Sequence, residues 1–225
     1  MTTLTENASS ILYMRYLQEG ETPEDMFRRV ASAVAEGERS WGGDEAVREY
    51  TVKFYELMNS VAFLPNSPTL VNAGRDARGS LSACFTMSPE DTAESILQVG
   101  NDACMVEKWG GGIGFGFSNL RPKGDKISTT HGIACGPVAV MKYYSEGGIL
   151  LTQGSFRSGA HMGQLHISHP DIIEFITAKV GNEGLKNFNI SVQIPDSFMR
   201  MLKTNPDDIF PLINPRDGGM HSTVT

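Results

Sequence analysis

The sequence is short of cysteine, of excess positive charge and of long apolar runs, and each shortage closes a class of function. Its 225 residues include three cysteines, Cys84, Cys104 and Cys135. An odd number at spacings of 20 and 31 residues builds neither a disulfide framework nor a zinc site, so at least one is expected to be a free thiol. Nineteen Lys and Arg against 26 Asp and Glu leave a formal charge of −7, which supplies no field to draw in nucleic acid or an anionic membrane. Any phosphate must then be held locally, by backbone amides and a few arginines. No stretch approaches the roughly 18 to 20 uninterrupted apolar residues of a membrane span, and the opening MTTLTENASS has neither the basic nor the apolar region of a signal peptide. The expectation is a globular, cytoplasmic protein without nucleic-acid or membrane partners. Its 40% hydrophobic content is enough for a domain with a real core.

What is present divides in two at about Phe63. From Glu6 to Met58 the apolar residues recur with helical spacing, with Ile11, Leu12 and Tyr16 in one stretch and Met26, Phe27, Val30, Ala33 and Val34 in another. Thr22-Pro23-Glu24-Asp25 supplies an N-cap, a proline in the first turn and acids on the helix dipole. A third helix is expected from Asp44 to Met58. Beyond Phe63 glycine becomes frequent, and SACFTM, IGFGFS and NISVQI read as buried strands. Helices are expected between them at Asp91–Lys108, Val138–Leu151 and His169–Lys179. Strands alternating with helices of this length predict an α/β fold with crossover connections. The domains are therefore set at 1–62, helical, and 63–225, α/β. The last twenty residues, PDDIFPLINPRDGGMHSTVT, hold a short apolar run, a turn and the opening of a strand, so a truncated chain is expected.

Three segments carry candidate chemistry. Phe63–Gly74 sets hydroxyl and amide side chains beside two prolines and reads as a rigid loop able to meet a phosphate, with Cys84 on the strand that follows. A cysteine in an apolar strand is otherwise a small hydrophobe. Lys108–Ser118 is rich in glycine, which lets a ligand or another backbone come close. It lacks the spacing of a P-loop, and it runs from helix to strand, the reverse of a dinucleotide fold. Gln153–Gly163 carries one arginine, Arg157, in a glycine-rich stretch that reads as a mobile anion-touching loop or a plain surface loop. His161, His166 and His169 follow no metal-ligand spacing.

In this order the segments NSPTLVNAG, SACF, EDTAESI, GGGIGF, LRPKG, GPVAVMK, RSGAHMG, HPDIIEFI and NFNISV resemble ribonucleotide reductase large subunits, from about Leu4 onward. The wording is most similar to the adenosylcobalamin-dependent class II enzymes and more distant from class I. The resemblance implies a helical domain followed by the first half of a ten-stranded α/β barrel. It implies thiyl-radical reduction of a ribonucleotide, with Cys84 as the first member of a redox cysteine pair. Ser67, Ala83 and Gly112 match substrate-binding positions. Asp91, Ile96 and Arg121 match the site of a deoxynucleoside triphosphate effector, and Arg157 the loop coupling effector to substrate. The implied partners are a thioredoxin-like or glutaredoxin-like reductant, a second copy of the chain and a complementing C-terminal half that holds the other cysteines and most cobalamin contacts. Cys135 stands where the family usually has serine, and Ser158 and His161 depart from its RRGANMG pattern. The rival readings are a non-catalytic nucleotide-binding module, a class I fragment and a generic phosphate-binding α/β protein.

Overall fold

The computed structural model of the chain describes residues 4–75, 79–152, 160–181 and 185–224. They form two compact units, Met1–Ala83 and Cys84–Thr225.

The first unit is helical: α1 (Glu6–Arg15), α2 (Pro23–Ala35), α3 (Arg39–Asn59) and α4 (Ser67–Asn72). Helix α2 starts on the expected signal. Thr22 Oγ1 accepts from the Asp25 amide at 3.2 Å and Asp25 Oδ2 accepts from the Thr22 amide at 3.0 Å, so two orphan donors are satisfied reciprocally. Its buried stripe is Met26, Phe27, Val30, Ala31 and Ala35, rotated slightly from the expected one, and Val34 is exposed. Helix α3 breaks at Gly42 and Gly43, where Gly43 adopts φ 62°, so the regular part begins at Asp44 as the pattern predicted.

The stretch expected to be a loop, Phe63–Gly74, contains α4 instead. Asn66 caps it, its side chain accepting from the Thr69 amide at 2.9 Å, and Pro68 sits in the first turn where its missing N–H costs nothing. Leu70 and Ala73 then pack into the core formed by Met26, Phe27, Val30 and Met58. Arg29 locks the arrangement by pairing with Glu21 at 2.7 Å and donating to the Leu70 carbonyl at 3.2 Å and to that of Ala73. These contacts carry the helical unit past the textural break at Phe63 to Ala83.

The second unit is built on four parallel strands in sequential order: β1 (Cys84–Met87), β2 (Gly112–Gly116), β3 (His161–His166) and β4 (Phe188–Gln193). The crossovers carry α5 (Ala93–Lys108), α6 (Pro137–Thr152) and α7 (Ile172–Thr177). The core between sheet and helices is aromatic, with Phe115, Phe117, Tyr144, Phe175 and Phe188. Phe115 lies 4.8 Å from Tyr144 and 5.9 Å from Phe188, centroid to centroid, and burial pushes the Tyr144 phenol far above its ordinary pKa.

Strand β3 begins inside the stretch Gln153–Gly163 that was expected to be a glycine-rich loop. Its sequence HMGQLH offers no apolar alternation, but Gly163 lets Met141 of α6 lie against the sheet, a Cβ there meeting Met141 Cε at 3.0 Å. The rest of the chain forms α8 (Asp196–Thr204), which the sequence reading did not anticipate, and an antiparallel hairpin of β5 (Phe210–Ile213) and β6 (Met220–Val224) about the expected turn. No helix among the described residues is long and apolar enough to cross a membrane.

Candidate functional site

A cavity of about 540 Å³ opens beside the N-terminus of α5, a volume that suits a nucleotide-sized ligand. Thr92 caps α5, its side chain accepting from the Ser95 amide at 3.2 Å. One step before the cap, Asp91 is free to turn toward the end of the β2 segment. There it accepts from the Arg121 amide at 3.0 Å and from Arg121 Nε at 2.7 Å. Arg121 also reaches the carbonyls of Asp91 and Lys126, each at 3.4 Å. Ile96, Leu120 and Val140 make the apolar floor, and Ser128, Thr129 and Thr130 bring hydroxyls to the rim. The rim is the tip of a small ribbon closed by bonds from Gly124 N to Ala134 O (2.9 Å), Ala134 N to Asp125 O (2.8 Å) and Ile127 N to Gly132 O (2.9 Å).

The structure thus brings together Asp91, Ile96 and Arg121, three residues chosen over a 30-residue interval of sequence. It also assigns the first and last of them to each other. Asp91 does not cap the helix; it holds the guanidinium. Among the described residues Arg121 is the one basic side chain on the cavity wall, with Asp91 and Glu94 both acidic, and there the arginine and the positive end of the α5 dipole are what attract phosphate. Cys135 also lines this cavity, which its sequence context did not signal.

The candidate redox residue lies elsewhere in the same unit. Cys84 is the first residue of β1, exposed and free of any disulfide, and it stands directly across the ladder from Gly112, the first residue of β2. Ladder neighbours without a side chain on one side leave the thiol open to a reactant. Cys104, in contrast, is half-buried on α5, and burial with the nearby Glu107 carboxylate raises its thiol pKa, which suits an inert core cysteine. Ala83, half-buried, is the last residue of the helical unit. Ser67, the first residue of α4 in that unit, is half-buried and shares a 2.9 Å hydrogen bond with the Tyr16 hydroxyl. Arg157 lies outside the described residues.

The three histidines are each committed to protein groups. His161 is buried against Glu107, His166 Nδ1 meets Ser168 Oγ at 2.7 Å, and His169 bridges two backbone groups. Among the described residues no three His, Cys, Asp or Glu side chains converge to hold a metal. Sequence reasoning missed Glu107, although a position four residues beyond Ala103 on the apolar face of a helix was signal enough. A second cavity, about 560 Å³, lies within the helical unit among Val30, Phe54, Leu57 and Phe63 and carries no charged side chain.

Comparison with known proteins agrees with this division. The profile of the ribonucleotide reductase all-alpha domain matches residues 2–78, and that of the ribonucleotide reductase barrel domain residues 82–225. The chain is 46% identical over 168 residues to the vitamin B12-dependent ribonucleoside-diphosphate reductase of Thermoplasma acidophilum, covering 74% of this chain and 22% of that protein. It is 37% identical over 218 residues to the protein of the same name from Mycobacterium tuberculosis, covering 94% of this chain and 31% of that one. Among solved structures the class Id ribonucleotide reductase alpha subunit of Actinobacillus ureae superposes with a TM-score of 0.71 at 25% identity, over 90% of this chain and 36% of that one. The chain therefore spans less than a third of the length of these curated relatives.

Proposed function

Since the chain belongs to the ribonucleotide reductase large-subunit family, matched over both its all-alpha and its barrel domain, we propose that it is the helical domain and leading barrel segment of a B12-dependent reductase catalytic chain. The proposed reaction is replacement of the ribose 2′-hydroxyl by hydrogen, the oxygen leaving as water. Two thiols supply the two electrons and two protons and become a disulfide, which a thioredoxin-like or glutaredoxin-like dithiol reduces again. Cys84 is proposed as one of those thiols. Ser67, Ala83 and Gly112 are proposed to hold the ribonucleotide. The second thiol and the radical cysteine belong to sequence outside this chain.

The cofactor proposed for the whole protein is adenosylcobalamin. Among the described residues neither cavity is large enough for a corrinoid with its appended nucleotide. Most of the residues that would hold it are proposed to lie outside this chain. Accordingly the chain alone is expected to show no ribonucleotide reduction with adenosylcobalamin and a dithiol. Turnover by the purified 225-residue chain would overturn the proposed division of the machinery.

The observation that carries the reading is the convergence of Asp91, Ile96 and Arg121 on one nucleotide-sized cavity. We assign it to a deoxynucleoside triphosphate effector, with Arg157 and a second copy of the chain as further contributors. Ligand that binds only the folded state raises its melting temperature. Such nucleotides are therefore expected to raise the Tm of the chain, and Arg121→Ala to weaken binding about tenfold or more through loss of a charge-assisted contact. Because Arg121 also neutralises Asp91, its removal leaves an acid facing the phosphates, so Arg121→Lys should be less harmful than Arg121→Ala. Equal stabilisation of the wild-type and Arg121→Ala chains by nucleotide would refute the assignment.

A further inference from the structure

We propose that His169 is a positioning residue that, in its neutral form and together with Asp171, clamps the segment carrying Arg121 into the cavity, and that the clamp opens in acid. The proposal rests on the reading of this cavity as a nucleotide site only for its consequence, not for its geometry. His169 is 2% exposed, on the turn between β3 and α7. Its Nε2 lies 2.8 Å from the Leu120 carbonyl oxygen, and its Nδ1 receives the Asp171 amide at 3.0 Å. A carbonyl oxygen only accepts and a backbone amide only donates. The ring must therefore carry its single proton on Nε2 and present Nδ1 bare.

The second jaw is Asp171 itself. Its Oδ2 accepts from the Lys123 amide at 2.8 Å, so Leu120 and Lys123, the residues on either side of Arg121-Pro122, are both held from the α7 side. Between these two anchors the Arg121 amide and Nε are left pointing at Asp91. A proton added to His169 Nδ1 would face the Asp171 N–H donor to donor. That contact must break, and moving Asp171 disturbs the bond its carboxylate makes to Lys123. The ring reaches Arg121 through the backbone of Leu120 on one flank and through Asp171 and its carboxylate on the other, and it is not itself one of the residues lining the cavity.

The surroundings set the direction of titration. Burial holds the imidazole pKa below its ordinary value, the Leu120 carbonyl and the Asp171 carboxylate oppose that, and His221 and His166 add to it when charged. Lys123 and Glu174 form an ion pair at 3.1 Å nearby. A depressed folded-state pKa means that the neutral clamp is fully stabilising above the ordinary histidine value of about 6.5 and is lost as pH falls from there through the folded-state value.

The test uses the whole chain and needs no ligand for its first two arms. Imidazole nitrogen shifts of the wild type at pH 7.5 should show His169 as the neutral Nε2–H tautomer; an Nδ1–H tautomer or a cation would overturn the proposal without any variant. Amide exchange at Arg121, divided by the intrinsic rate at each pH, should lose about tenfold in protection between pH 7.5 and 5.5, the scale of one buried hydrogen bond. In His169→Gln, whose amide can still donate to Leu120 but cannot titrate, protection should stay flat with pH, and in His169→Ala it should be low throughout. The same acid loss in His169→Gln as in the wild type would sink the clamp. The third arm adds dATP, dGTP, dCTP or dTTP: the Tm rise should fade over the same acid range in the wild type and not in His169→Gln. If no nucleotide shifts Tm at any pH while the exchange arms behave as stated, the clamp stands and the nucleotide reading of the cavity is what fails.

Discussion

Cys84→Ser, placed in an enzyme completed with the C-terminal portion proposed above, is expected to lower multiple-turnover reduction by roughly a thousandfold or more, the scale on which removing one member of a reacting unit acts. A serine hydroxyl neither forms a disulfide nor gives up its proton near neutral pH, so the two-electron step has no donor at that position. The two other cysteines offer no substitute. Cys104 is half-buried on α5 with its thiol pKa raised by burial and by Glu107, and Cys135 sits on the wall of the Asp91–Arg121 cavity, apart from the β1–β2 ladder. Cys104→Ser and Cys135→Ser should therefore retain most of the dithiol-driven rate. Turnover of Cys84→Ser at the wild-type rate, with thioredoxin or dithiothreitol as reductant, would remove Cys84 from the redox pair.

Several elements of the fold were within reach of the sequence because they begin or end at strong local signals. The Thr22-Pro23-Glu24-Asp25 start of α2, the glycine break ahead of Asp44, the run of α5 and the turn between β5 and β6 all appear where their side-chain chemistry places them. The fold class needed only the alternation of strands and helices, together with the family wording. What the sequence hid had physical causes. Strand β3 alternates by burial, with His161, Gly163 and Leu165 facing in, but two of those three are not hydrophobic, so the period of two is invisible to a hydropathy pattern. Helix α4 was masked by reading Asn-Ser-Pro-Thr as loop chemistry when the same residues make a cap followed by a first-turn proline. Helix α8 buries no residue, so no core stripe marked it beyond its own amphipathic spacing.

The site was legible as a set of residues and not as an arrangement. Asp91 and Arg121 were expected to approach one ligand from two sides, and the structure has them bonded to each other. Only a contact map could show that, since helix and returning strand bring their ends together by tertiary packing. The histidines illustrate the same limit. Spacing alone excluded a metal motif, yet it gave no hint that His169 would face two backbone groups or that His161 would meet an acid in the core.

That acid supplies the largest expected effect on stability. Glu107 and His161 are 2% and 1% exposed, and Glu107 Oε1 contacts His161 Nε2, though not aligned as a hydrogen bond. Neither carboxylate oxygen has a hydrogen-bond donor among the described residues. The pair is sealed on all the sides that can be named. Phe115 and Phe188 set their rings 5.3 and 4.7 Å from the imidazole, Asn187 Nδ2 lies 3.4 Å from Nδ1, and a Cβ on Gly148 of α6 would meet His161 Cε1 at 2.7 Å and Glu107 Oε2 at 3.0 Å. Glu107 also sits in the last turn of α5, where the helix dipole disfavours a negative charge, and His161 is the polar side chain that meets its carboxyl there. Removing one partner of a buried pair strands the other and costs about 3–5 kcal/mol, against a total domain stability of roughly 5–15 kcal/mol. Glu107→Ala and His161→Ala should each lower the urea midpoint by that order with little change in slope. The apolar double substitution Glu107→Met with His161→Leu should cost much less than the two single losses added together, because it leaves no uncompensated polar group behind. A loss below about 1 kcal/mol for Glu107→Ala would mean that water reaches the pair and that the core around Phe115 is open.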